Sequence, residues 1–156
     1  MRKKEKYSRR KSLYHGFTLM ELVTVVLIIG ILVALATPTY FKSRLRGLSK
    51  TAVSMLKTIR AAERAYYQVS DDSGYGGYYP PSGTVTDLAL INSNLSTDLV
   101  SDKWNISIDG DHASGFEAIA ELRSGVWSSG RPISLSITAT TENVTCSGAG
   151  CPDIGL

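Results

Sequence analysis

Histidine and cysteine are scarce in this chain, and their scarcity removes most catalytic and metal chemistry. Of the two histidines, His15 and His112, only His112 falls in the body of the sequence, and no nucleophile and orienting group gather near it in sequence. No catalytic residue is expected. The two cysteines, Cys146 and Cys151, have no histidine nearby, and two thiolates do not complete a zinc site. Asp109, Gly110, Asp111 and His112 lack the further spaced oxygens and closing glutamate of a calcium loop, so they read as a polar hairpin turn. Neither a metal nor a cofactor is expected. Positive charge is lacking too: from Phe17 onward ten Lys and Arg face thirteen Asp and Glu, so the charge does not support DNA binding. At 156 residues the chain is short for two domains, and one small domain with an appended segment is the natural reading.

Charge is absent in one more place, and there its absence is informative. From Phe17 to Ala36 Glu21 is the one strongly polar residue, with Thr18 and Thr24 as mild interruptions. Twenty residues at about 1.5 Å each span roughly 30 Å, the thickness of a bilayer core. Seven basic residues and Glu5 precede this run, whereas Lys42, Arg44 and Arg46 follow it. The heavier cluster predicts a cytoplasmic N-terminus and a body outside the inner membrane. Cys146 and Cys151, with four residues between them in a Ser, Gly and Pro-rich stretch, predict a small disulfide loop in an oxidising compartment, with two free thiols as the alternative. Two cleavages compete. The Ala34-Leu35-Ala36 pattern would release a periplasmic binding domain starting at Thr37, whereas a cut between Gly16 and Phe17 would keep the apolar segment. A carboxylate is expensive in lipid unless neutralised, so Glu21 favours the second.

Gly16, Phe17, Thr18, Leu19, Met20 and Glu21, followed by Leu22 to Val33 and then Pro38 and Tyr40, resemble the cleavage and methylation motif and the helix of the type IV prepilins. The resemblance covers about forty residues. It implies a basic leader, residues 1–16, removed after Gly16 by a prepilin peptidase, with N-methylation of Phe17. It implies that Glu21, with Thr18 beside it, sets assembly and register by facing a neighbouring subunit's N-terminal amine. It also implies flexibility of the helix near Gly30 and Pro38, for which close helix packing at Gly30 is the alternative. The partners implied are further copies in a helical homopolymer, membrane lipid before assembly, an inner-membrane assembly platform and an assembly ATPase. The expected product is a structural, non-enzymatic subunit of an extracellular type IV pilus. A type II secretion pseudopilin shares the same N-terminus and is the alternative, and the short cysteine loop, similar to the C-terminal region of many pilins, leans towards a pilus.

Beyond residue 36 the pattern turns amphipathic. Leu45, Leu48, Ala52, Met55, Ile59, Ala62, Tyr66 and Val69 recur at spacings of three and four, with Arg60 and Glu63 falling largely off that stripe. The spacing predicts one helix from Phe17 to Val69 with a membrane part, 17–36, and an amphipathic part, 37–70, packed on the chain's own sheet. Residues 71–86, rich in Gly and Pro, read as a surface loop pinned by Tyr75, Tyr78 and Tyr79, and 87–99 as a short helix or crossing segment. Alternation around Ile106 and Ile108, over Phe116 to Leu122 and over Ile133 to Ala139 predicts antiparallel strands, with turns at Asp109-Gly110 and Ser129-Gly130. The fold class expected is α+β, with 71–156 forming a loop-and-sheet head.

Overall fold

The computed structural model describes residues 16–72, 76–111, 114–126 and 132–151, and not the side chains of residues 71 and 72. The leader up to His15, Ser73 to Tyr75, His112 and the turn at Ser129-Gly130 lie outside the described residues. Helix α1, Leu19–Asp72, is unbroken through Gly30 and Pro38. The chain divides at Thr39 and Tyr40 into two units. In the first, every described residue is exposed. The hydroxyls of Thr24 and Thr37 donate to the carbonyls of Met20 and Val33, at 2.8 and 2.7 Å, so neither leaves an unpaired polar group in the apolar run.

The second unit holds the rest of α1, a short helix and a five-stranded antiparallel sheet in the order β1 (Ser82–Val85), β2 (Trp104–Asp111), β3 (Gly115–Leu122), β4 (Ser134–Thr138), β5 (Thr145–Ser147). Its register aligns Ile106 with Ala120 and Leu135, and Ile108 with Ala118 and Ile137. Each row is therefore large, small, large, and joins Leu45, Ala52, Leu56 and Ile59 of α1 in one core. Glu117 and Glu121 point outward, as the alternation requires. The chain's own sheet covers this part of the helix, as expected.

The expected stripe coincides with the buried line only in part. Leu45, Ser49, Ala52, Leu56, Ile59 and Glu63 are buried, while Leu48, Met55, Ala62 and Tyr66 are half-buried and Val69 is 69% exposed. Glu63 and Arg60, expected off the packed face, are 0% and 8% exposed. Ser49 is tolerated because its hydroxyl donates to the Leu45 carbonyl at 3.0 Å.

Beyond α1 the chain turns back, and the Ser70 hydroxyl accepts from the Gly77 amide at 3.2 Å. Tyr78 lies against Tyr67 and Phe116, and Tyr79 against Tyr66, so both tyrosines pin this segment; Tyr75 is outside the described residues. The expected loop 71–86 is too long, because Ser82 to Val85 form β1 opposite Asp111 to Ile108. Helix α2, Leu88–Leu95, starts where the Asp87 carboxylate accepts from the Ala89 amide at 2.9 Å, and it buries Ile91 and Leu95. Asp109-Gly110 is also not a turn. Both residues pair within β2, and a Cβ at Gly110 would sit 2.9 Å from the Pro80 ring, so close approach is what demands glycine.

Cys146 and Cys151 form a disulfide, and Cys146 lies within the unexpected strand β5. The Gly150 amide donates to the Pro132 carbonyl at 3.3 Å. A Cβ at Gly148, whose φ is +112°, would strike that same carbonyl. The bridge therefore fastens the described end of the chain to the start of β4.

Candidate processing and assembly site

The segment from Gly16 to Glu21 combines a helix start with an unshielded apolar surface. Gly16 and Phe17 precede α1, and Thr18 caps it. The Thr18 carbonyl accepts from the amides of Glu21 and Leu22 at 3.1 and 3.2 Å, and its Oγ1 accepts from the Glu21 amide at 3.2 Å. Thr18-Leu19-Met20-Glu21 thus has the spacing of a capping box, with the threonine half made. That signal stands in the sequence as a threonine three residues before a glutamate at the head of an apolar run, and it gives Thr18 a structural task beside the one the resemblance implied.

Glu21 is the third residue of the helix, and its carboxylate lies in the first turn, where the exposed amides and the helix dipole favour negative charge. The position is exposed, as is Phe17 at 73%. The structure therefore gathers Gly16, Phe17, Thr18 and Glu21 at one helix end. Gly30 and Pro38 lie further along the same helix, and Cys146 and Cys151 belong to the second unit.

From Phe17 to Leu35 fourteen large apolar side chains are exposed. At about 1.5 kcal/mol or more for each such side chain left in water, the penalty is on the order of 20 kcal/mol. A small domain is typically stable by only about 5–15 kcal/mol. The segment therefore needs lipid or other protein around it, and α1 is long and apolar enough to cross a membrane. No candidate metal cluster of His, Cys, Asp and Glu occurs among the described residues.

The family model for the prokaryotic N-terminal methylation motif matches residues 11–37. The chain is thus similar to type IV pilins. It is 38% identical over 72 residues to the type IV major pilin protein PilA of Myxococcus xanthus, a match covering 44% of this chain and 33% of that protein. It is 28% identical over 145 residues to a fimbrial protein of Neisseria meningitidis, covering 85% of this chain and 82% of that one. No solved structure matches. The long helix on a small antiparallel sheet is the α+β architecture expected of a pilin.

Proposed function

We propose that this chain belongs to the type IV pilin family and is a structural subunit of a type IV pilus. The observation that carries the reading is the apolar first half of α1, which is exposed among the described residues and begins with a capped turn bearing Glu21. Before assembly residues 17–36 lie in the inner membrane with the basic leader on the cytoplasmic side. A prepilin peptidase cuts after Gly16, and Phe17 becomes the N-methylated N-terminus. An assembly platform and ATPase then move the subunit into an extracellular helical polymer, where apolar segments of neighbouring copies replace lipid. The exposed Gly16, outside the helix and with nothing within 4 Å of where a Cβ would lie, suits entry into a peptidase.

Within the polymer Glu21 faces the N-terminal amine of a neighbour. Each charge is costly alone in an apolar interior, and removing one partner of such a pair costs about 3–5 kcal/mol. A subunit out of register leaves both unpaired, so the pair selects register. A Cβ added at Gly30 would meet nothing within 4 Å, so this glycine answers no packing need among the described residues. Pro38 cannot donate to the helical ladder. Both suit a helix that loosens locally in a fibre.

Mass spectrometry of the mature subunit tests the reading. Methylated Phe17 is the expected N-terminus, and Thr37 would overturn it. Glu21→Ala is expected to leave cleavage intact while abolishing or strongly reducing sheared surface fibres; normal fibre yield would exclude the register role. Imaging those fibres separates a pilus from a pseudopilus.

A further inference from the structure

Charge in the second unit is divided between its parts. From Tyr40 to Arg64 there are seven cations and one carboxylate, Glu63, whereas from Ala65 onward eleven carboxylates face Lys103, Arg123 and Arg131. Lys57, Arg60 and Arg64 follow one another along α1, and with Ala61, Glu142 and Asn143 they line a cleft of about 580 Å³. Arg60 is 92% buried by its 8% exposure, its Nε has no partner among the described residues, and its Nη1 stands 3.8 Å from the exposed Glu142 carboxylate. One loose carboxylate leaves three cations largely uncompensated.

The opposite condition holds at the far end of β2 and β3. Asp109 and Glu117 face each other in register on the exposed side of the sheet and line a second cleft, of about 460 Å³. Asp109 accepts from the Thr84 hydroxyl at 3.1 Å, which does not neutralise it. Like charges directly opposed across strands are destabilising, and a cation from outside the chain relieves them.

We propose that the Lys57, Arg60 and Arg64 cleft seats the Asp109 and Glu117 face of a second copy of this chain. The proposal rests on the filament reading and adds to it a contact between folded heads. The two surfaces are different, so each copy offers one and receives the other. Such a heterologous contact extends into an open chain instead of closing as a dimer. Complementary charge also sets orientation, since a head turned the wrong way brings like charges together.

The test uses the full chain in a bacterium that makes its fibres. Lys57→Glu with Arg64→Glu, and separately Asp109→Lys with Glu117→Lys, are each expected to lower sheared fibre yield about tenfold or more by like-charge contact. The processed subunit should remain in the membrane, and all four substitutions together should restore most of the yield. Unchanged yield from either reversed pair, or no recovery in the combination, would overturn the contact. If a reversed pair loses the subunit altogether, Arg64→Cys with Glu117→Cys decides: a ladder of cross-linked chains is expected, and its absence overturns the proposal. DNA retention by the same cations without an effect on fibre yield overturns it as well. Wild-type fibres of subunits starting at Phe17, with charge variants indistinguishable from them, would sink this contact alone. Absence of wild-type fibres would remove the filament reading with it.

Discussion

Glu63 is the residue where local chemistry and fold pull hardest against each other. Its side chain is fully buried, Oε2 accepts from the Tyr79 amide at 2.9 Å, and Oε1 has no partner among the described residues. Burial raises its pKa from 4.5 to about 7, the Tyr79 amide only partly opposing the shift. Between those values the folded chain keeps a proton that the unfolded chain has lost, so raising pH favours unfolding. The contribution is fully present below pH 4.5 and gone above about pH 7, a loss on the order of 3 kcal/mol. Denaturation of the full chain in detergent at pH 5 and pH 8 should show this fall, and Glu63→Gln, which still accepts from Tyr79 without a charge, should flatten it. The sequence hid this residue because a glutamate at helical spacing among cations reads as a solvated face. Only its amide donor, sixteen residues away, makes the position tolerable. Gly110 misleads in the same way: Asp-Gly suggests a turn, yet Pro80 demands the glycine. Gly110→Ala should therefore cost about 1–3 kcal/mol by overpacking, seen as a lower thermal midpoint.

Helix α1 was legible in type and extent, since a capped apolar run followed by three-and-four periodicity allows little else. Its buried line was legible only in part. The expected and observed lines share Leu45, Ala52 and Ile59 and part between them, because the observed one passes through Ser49 and Glu63, which carry no apolar signal. Leu56→Ala, on the observed line, should cost about 2–5 kcal/mol, and Leu48→Ala, half-buried, clearly less; comparing their denaturation midpoints checks the phase. Strands β2, β3 and β4 showed themselves through alternation because one face is buried and the other wet. Strands β1 and β5 did not, because Ser82-Gly83-Thr84-Val85 and Thr145-Cys146-Ser147 are exposed or at most half-buried, and neighbouring strands fix them. The disulfide lies within this second group. Replacing both Cys146 and Cys151 by Ser should cost about 2 kcal/mol for so short a loop, with early proteolysis after β4 as a second readout.

At the scale of the whole molecule the membrane-length apolar run interrupted by one carboxylate stood plainly in the sequence, and under the proposed pilus reading a neighbouring subunit resolves that chemical contradiction. The charge division of the second unit was equally present in the sequence, but its two clefts were not. Lys57, Arg60 and Arg64 meet Glu142 and Asn143 only through the fold, as Asp109 meets Glu117 through strand register. The short outer strands also bear on how such a molecule polymerises. A protein brought to high local concentration in a fibre risks strand pairing between copies wherever a sheet edge is long, flat and apolar. Here the edges are four and three residues long, mostly polar and exposed, and the second is tied down by the disulfide beside the Pro132 carbonyl. An amyloid-like route is thereby discouraged by the same bridge that fastens the chain, and under the proposed pilus reading growth is left to the helix.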